Sequence, residues 1–181
     1  MSPFTGSAAR TSRWEHLRVD LADGVATVTL ARPDKLNALT FGAYADLRDL
    51  LAELSRERSV RALVLAGEGR GFCSGGDVDE IIGATLSMDT AQLLDFNRMT
   101  GQTVRAIREC PFPVIAAVHG HCYTGALELA LACDFIIAAE SAKFADTHGK
   151  WAMTPNWGMR QRLPPLIGHA RARALIDTGR G

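Results

Sequence analysis

The chain has 181 residues and a mass of 19.5 kDa, and 47% of its residues are hydrophobic while 22% are charged. This composition is typical of one globular domain with a substantial core and excludes a disordered chain. Its 20 basic residues balance its 20 acidic ones, so neither nucleic acid nor an anionic membrane surface is expected as a partner.

The first 13 residues are rich in Ser, Ala and Arg but lack the apolar run of a secretory signal. They are predicted to be disordered ahead of a single domain over 14–181. No segment is long and apolar enough to predict a membrane span. The four cysteines form neither a CxxC pair nor a metal-ligand cluster with histidine, which is typical of reduced thiols in a cytoplasmic protein. The sequence therefore predicts no membrane partner and no bound metal.

The predicted elements begin with a hairpin. Residues 17–21 and 25–31 are rich in β-branched side chains and flank Asp23-Gly24, a pair that favours a two-residue turn. Thr40 is placed to cap a helix over 41–58, in which Tyr44 and several leucines recur at helical spacing.

The rest of the chain alternates between strands and helices. Strands are predicted at 62–67, 114–118 and 135–139, and helices at 90–110, 125–133 and 170–178. Asp77 and Glu80 have the spacing of a capping box that opens a further short helix. This order predicts an α/β domain with parallel strands.

Two glycine-rich loops, over 69–77 and 119–125, each lead from a predicted strand to a predicted helix. Ligands gather beyond the carboxyl ends of parallel strands, and the unpaired N–H groups of a helix start attract negative charge. The first loop lacks the Gly-Lys-Ser/Thr of a nucleotide-binding P-loop. Because tight turns also require glycine, a plain turn is the alternative interpretation of both loops.

Glu128 is the one carboxylate within the apolar helix predicted over 125–133. As an acid in the first turn it would complement the helix dipole by about 0.3–1 kcal/mol, whereas burying an unpaired charge costs several kcal/mol. Its Ala and Leu neighbours leave little room for a solvated face, which favours a functional carboxylate. An acid beside the free N–H groups of a helix start predicts chemistry on a carbonyl group.

Five segments stand in the order and spacing of a known family. They are RPDKLNAL (32–39), GFCSGGD (71–77), PVIAAVHG (113–120), ELALACD (128–134) and QRLP (161–164). With these motifs the chain from residue 25 to about residue 178 resembles the enoyl-CoA hydratase/isomerase (crotonase) superfamily. The resemblance implies a spiral of ββα units with parallel strands, an acyl-coenzyme A thioester as substrate, and no further cofactor.

The resemblance also implies the catalytic groups. The backbone N–H groups of Gly76 and Gly125 would form an oxyanion hole for the thioester carbonyl. Polarising that carbonyl stabilises an enolate, and one such donor is typically worth about 3–4 kcal/mol in the transition state. Glu128 matches the first catalytic glutamate of the hydratases. The implied assembly is a homotrimer or a dimer of trimers.

A path for the coenzyme A moiety follows from the same resemblance. The segment whose backbone contacts coenzyme A matches Lys35, Leu36 and Ala38, and the same path is bordered by Cys73, Ser74 and Asp77. Asp77 has a structural alternative as a helix N-cap. Lys35 either pairs with a phosphate or is an exposed, solvated lysine.

The chain departs from the family pattern at the second catalytic position. Hydratases carry a second glutamate where this chain has His148, a residue that also exchanges a proton near neutral pH. The alternatives are that His148 is a loop histidine bonded to backbone, or that Asp146 takes the role instead.

Other departures surround the predicted acyl site. Thr124 replaces a glycine often found before the second oxyanion-hole residue, and Trp151 and Trp157 either narrow the acyl pocket or belong to the core. Arg162 is expected to serve the structure through ion pairs and backbone contacts. Family members normally continue with helices past the position of Gly181, so the C-terminal helical region is expected to be truncated.

These observations favour an acyl-CoA enzyme of fatty acid metabolism. Hydration of a 2-enoyl-CoA is the first hypothesis, with Glu128 handling the water or the proton and His148 assisting. The same oxyanion hole would serve an isomerase, a decarboxylase, or a hydrolase of a thioester or β-diketone. The non-catalytic alternative is a shortened relative that binds acyl-CoA or a partner protein without turnover.

Overall fold

The computed structural model describes residues 14–180, so the disorder predicted for residues 1–13 lies outside the described residues. The strands are β1 Leu17–Ala22, β2 Val25–Leu30, β3 Ala62–Gly67, β4 Val114–Val118, β5 His121–Tyr123, β6 Phe135–Ala138 and β7 Lys143–Ala145. One sheet has the order β1-β2-β3-β4-β6, and a second sheet pairs β5 with β7. β1 and β2 are antiparallel and the other described pairs are parallel, which confirms the predicted α/β class.

Six α-helices and three shorter helical turns connect the described strands. The helices are α1 Phe41–Leu54, α2 Gly83–Thr85, α3 Thr90–Arg108, α4 Gly125–Ala132, α5 Met159–Ile167 and α6 His169–Thr178. A π-turn over Val78–Ile82 runs into α2, and two 3-10 turns cover Pro33–Lys35 and His148–Trp151. Among residues 14–180, no helix combines the length and apolar character that crossing a bilayer demands.

The hairpin follows from its two turn residues. Asp23 and Gly24 both have positive φ, at 52° and 80°, which is the conformation of a type I′ turn whose twist matches the flanking strands. The register pairs Ala22 with Val25 directly across this turn. β2 then buries every second side chain, because successive side chains of a strand point to opposite faces.

Helix α4 lies within the core, and all eight of its residues are buried. The two long helices α1 and α3 pack against each other, and the hydroxyl of Thr103 donates to the backbone carbonyl of Tyr44 at 3.0 Å. A helix buried on every side leaves no solvated face for Glu128, whose exposed fraction is 0%. The predicted burial of this carboxylate is confirmed.

The largest differences from the predicted elements are one helix end and three missed elements. α1 ends at Leu54 rather than at 58, and the hydroxyl of Ser55 donates to the carbonyl of Leu51 at this end. The prediction missed β5 and β7, which are three residues each and too short to show an alternating pattern. It also missed α5, because Pro164 and Pro165 inside this helix are signals of a helix break.

Candidate functional site

The two glycine-rich loops are joined by backbone hydrogen bonds. The N–H of Phe72 donates to the carbonyl of His119 at 2.8 Å, and the N–H of Cys73 donates to the carbonyl of His121 at 2.9 Å. The loops follow β3 and β4, which are neighbouring parallel strands. They therefore converge at one edge of the sheet, where ligands of parallel sheets bind.

Asn37 holds the first loop in place, a role that the sequence analysis missed. Its side-chain amide donates to the carbonyl oxygens of Glu68 at 2.8 Å and Gly71 at 2.9 Å, and its side-chain oxygen accepts from the N–H of Arg32. The residue is 2% exposed and has φ 55°, a conformation that Asn adopts more readily than most residues. The Asn within the 32–39 motif was the available signal, but its partners are distant in sequence.

The convergence brings together the backbone of Gly75, Gly76 and Gly125. A Cβ on Gly75 would lie 2.9 Å from the carbonyl oxygen of Tyr123 and 3.7 Å from the nitrogen of Gly125. Within residues 14–180, the N–H groups of Gly76 and Gly125 donate no hydrogen bond to another residue. Two free amides on adjoining loops are the donors that a developing oxyanion requires.

Thr124, just before this helix start, has a strained backbone. Its φ of 56° and ψ of −116° lie outside the regions that β-branched residues normally occupy. Its N–H donates to the carbonyl of Ala145 at 2.8 Å, and its hydroxyl lies 2.6 Å from the hydroxyl of Thr147. The N–H of Thr147 donates to the same Thr124 hydroxyl at 3.1 Å. Surrounding contacts thus hold a conformation that costs energy, as is common at functional sites.

A cavity of about 710 Å³ opens at this junction, within the size range of small-molecule sites. Ser74, Gly76, Gly125 and His148 are among the residues that line it. Its walls are mainly apolar and include Val78, Ile81, Leu93, Phe96, Trp151 and Trp157. Among the lining residues in the described part of the chain, His148 is the one acid or base side chain.

Glu128 is fully buried and is not among the residues that line the cavity. Its Oε1 accepts from the backbone N–H groups of Trp157 at 2.8 Å and Met159 at 3.2 Å. Its Oε2 has no hydrogen-bond partner among residues 14–180. One oxygen is therefore fixed by the backbone, while the other is available for a proton.

Burial raises the pKa of Glu128 above its ordinary value of 4.5. The positive charge of His148 and the two backbone N–H donors oppose this effect, while the negative charge of Asp146 adds to it. The net rise favours the neutral carboxylic acid, so Glu128 holds its proton to a higher pH than an exposed glutamate does.

The imidazole of His148 lies between two buried carboxyl groups. Its Nδ1 is 2.6 Å from Oδ1 of Asp146, and its Nε2 is 3.9 Å from Oε2 of Glu128. The structure thus brings together the three predicted acid-base residues. The alternative of a histidine bonded to backbone is wrong, since the ring contacts a carboxylate. Within the described chain, no group of three or more His, Cys, Asp or Glu is arranged to hold a metal.

Of the six residues predicted to contact coenzyme A or to border its path, one lines this cavity. Ser74 is that residue, and its N–H donates to the carbonyl of Leu36 at 3.0 Å. This bond places the segment of Lys35, Leu36 and Ala38 next to the first loop. Lys35 is exposed and Ala38 is buried. Cys73 is fully buried, and burial raises the pKa of its thiol to about 12.

Asp77 is the N-cap of the π-turn, which is the structural alternative that the sequence offered. Its Oδ1 accepts from the N–H groups of Asp79 and Glu80, both at 3.2 Å. The reciprocal half of the predicted capping box is wrong, because the Glu80 carboxylate accepts from the N–H of Phe41. Burial acts to raise the pKa of Asp77, but the N–H of Glu80 and the guanidinium of Arg32 outweigh it and lower the pKa below 3.8.

The two tryptophans have different surroundings. Trp151 is 49% exposed at the cavity rim, so it is not a core residue. The ring of Trp157 packs edge-on against Tyr44 and Phe96, at centroid distances of 5.1 and 6.2 Å. Arg162 donates from Nη1 to the carbonyl of Trp157 at 2.6 Å. The expected backbone contact of Arg162 is present, but the expected ion pair is not found among residues 14–180.

Comparison with known proteins identifies related sequences. A family model described as enoyl-CoA hydratase/isomerase matches residues 20–181. The protein named probable enoyl-CoA hydratase 1, peroxisomal, of Arabidopsis thaliana is 35% identical over 155 residues, which are 86% of this chain and 56% of that protein. The 1,2-epoxyphenylacetyl-CoA isomerase of Escherichia coli K12 is 36% identical and is matched over 86% of this chain and 60% of its own length.

Solved structures share the fold over the same region. A crystal structure of a protein from Streptomyces coelicolor A3(2), assigned as an enoyl-CoA hydratase, aligns with a TM-score of 0.88 at 68% identity. The alignment covers 99% of this chain and 66% of that one. An enoyl-CoA hydratase structure from Bacillus anthracis aligns with a TM-score of 0.83 at 38% identity, over 92% of this chain and 64% of that one. The chain spans 56% and 60% of the lengths of these two curated relatives.

Proposed function

Because the chain belongs to the enoyl-CoA hydratase/isomerase family, we propose that it binds a 2-enoyl-CoA and adds water across its double bond. The observation that carries the proposal is the pair of free amides, Gly76 and Gly125, beside the buried cluster of Glu128, His148 and Asp146. Relatives named as enoyl-CoA hydratases support the choice of substrate class. The crotonase fold of the neighbouring structures supports the same site.

In the proposed reaction, the thioester oxygen accepts hydrogen bonds from the N–H groups of Gly76 and Gly125. The free energy of these bonds increases as negative charge develops on that oxygen, so they stabilise the enolate more than the ground state. The start of α4 adds its dipole behind Gly125. The apolar cavity walls exclude water from the acyl group, which strengthens these electrostatic interactions.

His148 is proposed as the group that exchanges protons with the substrate, because it lines the cavity while Glu128 does not. Its Nε2 removes a proton from water as the water oxygen bonds to the β-carbon. The electron pair of the double bond shifts to form a double bond between the α-carbon and the thioester carbon, and the carbonyl π pair moves onto the thioester oxygen, which gives the enolate. The imidazolium then returns the proton to the α-carbon, and Glu128 at 3.9 Å stabilises the transient positive charge.

Double-bond isomerisation is the second candidate, and one observation favours it. Isomerisation needs a single group that removes a proton from one carbon and returns it to another, and His148 is the one acid or base lining the described cavity. The E. coli relative named as an isomerase is 36% identical to this chain. Hydration and isomerisation share the enolate and differ in whether water joins the product.

The test is turnover of crotonyl-CoA and of a longer 2-enoyl-CoA, followed by loss of the conjugated absorbance, with products identified by mass spectrometry. Hydration adds one water to an intact thioester, whereas isomerisation leaves the mass unchanged and hydrolysis releases free coenzyme A. His148→Ala should abolish turnover, whereas His169→Ala, at an exposed position on α6, should leave it unchanged. Calorimetric binding of the ester without turnover would instead support the non-catalytic alternative.

A further inference from the structure

Asp146 is a buried carboxylate whose described hydrogen bonds all come from one residue. Its exposed fraction is 0%, and its Oδ1 accepts from the backbone N–H of His148 at 3.1 Å and lies 2.6 Å from Nδ1 of that ring. Its Oδ2 has no hydrogen-bond partner among residues 14–180. The 2.6 Å contact is short, as expected for a bond to a charged acceptor.

This contact decides which ring nitrogen carries the proton. With Asp146 ionised, its carboxylate can accept but cannot donate, and Nδ1 of His148 then bears the hydrogen in this contact. In the neutral ring, Nε2 is then the unprotonated nitrogen. Nε2 is also the nitrogen that lies toward Glu128, at 3.9 Å, on the residue that lines the cavity.

The segment that carries Asp146 is also tied to the strained residue before the oxyanion-hole helix. The hydroxyls of Thr147 and Thr124 lie 2.6 Å apart, and the N–H of Thr124 donates to the carbonyl of Ala145. Residues 145–148 and the start of α4 therefore form one connected unit. A ring held by Asp146 is consequently fixed relative to the amide of Gly125.

We propose that Asp146 is a positioning residue that fixes the Nδ1–H tautomer and the orientation of His148, so that Nε2 is the base presented to the substrate. This inference rests on the proposed function, since it concerns the same site. Among the candidate acids, Asp146 then acts through His148 and does not replace the second glutamate of the family. An imidazole held in the wrong tautomer cannot accept a proton at the required atom, which is why such carboxylates have large effects on rate.

A purely structural role for Asp146 makes a different prediction. The bond from the His148 N–H to Oδ1 is an Asx-turn, which stabilises the local backbone without regard to the ring. Asn at position 146 retains an oxygen that can accept this backbone bond. Asp146→Asn therefore preserves the turn while it removes the charged acceptor for Nδ1.

The experiment measures the tautomer of His148 directly, by ¹⁵N NMR of the imidazole in selectively labelled wild-type protein and in Asp146→Asn. The neutral ring should be protonated at Nδ1 in the wild type, and the Nε2–H form should gain population in the variant. A wild-type ring protonated at Nε2 overturns the inference whether or not any variant folds. An unchanged tautomer in a folded Asp146→Ala variant, which removes both side-chain oxygens, also overturns it.

Steady-state kinetics supply the second measurement. Asp146→Asn should lower kcat for the enoyl-CoA at least tenfold, while KM changes less than about threefold, because only the base is disturbed. The matched control is Asp20→Asn at an exposed position in β1, which should leave kcat unchanged. Full activity of His148→Ala would refute the proposed role of His148, whereas activity lost in His148→Ala and retained in Asp146→Asn would refute the positioning role alone.

Discussion

Glu128→Gln should separate the catalytic from the structural contribution of the buried carboxyl group. The amide has nearly the same shape, and its oxygen can still accept from the N–H groups of Trp157 and Met159. The change removes the ionisable proton and the negative charge at 3.9 Å from Nε2 of His148. We therefore expect the backbone around position 128 to be retained and the stabilisation of the His148 imidazolium to be lost.

The size of the activity loss follows from that distance. Two unit charges about 4 Å apart attract by about 4 kcal/mol at an effective dielectric constant near 20. This attraction is an upper limit for stabilisation of the His148 imidazolium, because burial favours the neutral form of Glu128. A loss of about 10²-fold in kcat is expected, below the limit of about 10³-fold that 4 kcal/mol allows.

Glu128→Gln should lower activity without lowering the free energy of unfolding. Glu128→Gln removes the cost of burying a carboxylate, so at neutral pH the free energy of unfolding should stay equal or rise by about 1 kcal/mol. Glu128→Ala instead leaves two buried N–H groups without an acceptor, at about 1–3 kcal/mol each, and should lower it by about 2–6 kcal/mol. Urea unfolding followed by circular dichroism measures both changes, with exposed Glu140→Gln as the matched control.

The direction of the pKa shift of Glu128 determines how the free energy of unfolding changes with pH. Because the pKa of Glu128 is higher in the folded than in the unfolded chain, the folded state binds the proton more tightly. Wild-type stability relative to Glu128→Gln should then fall as pH rises from about 4.5, the ordinary value. The groups facing this carboxyl are His148, Asp146, Arg162 and Tyr44. Full turnover by Glu128→Gln, or a destabilisation equal to that of Glu128→Ala, would refute this reasoning.

Three further substitutions test the site. Gly125→Ala would place a Cβ 2.9 Å from both the Trp157 ring and the Tyr44 hydroxyl, so kcat should fall about 10²-fold. The control is Gly101→Ala, whose Cβ meets no atom within 4 Å. This control should stabilise α3 by about 0.5–1 kcal/mol. Tyr44→Phe removes a buried hydroxyl that has no partner among residues 14–180, so the free energy of unfolding should not fall, as chemical denaturation would show. Asp77→Asn removes a carboxylate whose pKa is lowered in the folded state. The variant should therefore lose most unfolding free energy, relative to the wild type, above pH 3.8. This loss should shrink as the pH falls through the lowered pKa. A destabilisation that grows toward acid pH would contradict the assignment.

Much of the fold was predictable because it depends on local patterns. The hairpin turn, the Thr40 cap and the buried strands β3 and β4 all follow from residues that are adjacent in sequence. The positions of α5 and of the β5–β7 pair were not predictable in this way. They depend on contacts between distant segments, which no window of neighbouring residues records.

The same distinction between local patterns and distant contacts applies to the candidate site. That Glu128 would be buried could be predicted from its apolar helix, and the structure confirms it. That His148 rather than Glu128 would face the cavity could not be predicted, because this depends on how the loop before α5 folds over α4. The backbone N–H groups of Trp157, in that loop, and of Met159, at the start of α5, donate to Glu128.

The unsatisfied polar atoms of the described chain are concentrated around the candidate site. Buried side-chain atoms without a hydrogen-bond partner are uncommon in folded proteins, and each costs about 1–3 kcal/mol. Four of those in the described chain belong to Tyr44, Glu128, Asp146 and Trp157, which surround the start of α4. A site evolved for stability alone would have satisfied or removed these atoms. Under the proposed function, their concentration beside the two free amides and the imidazole is the expected cost of keeping polar groups ready for the substrate.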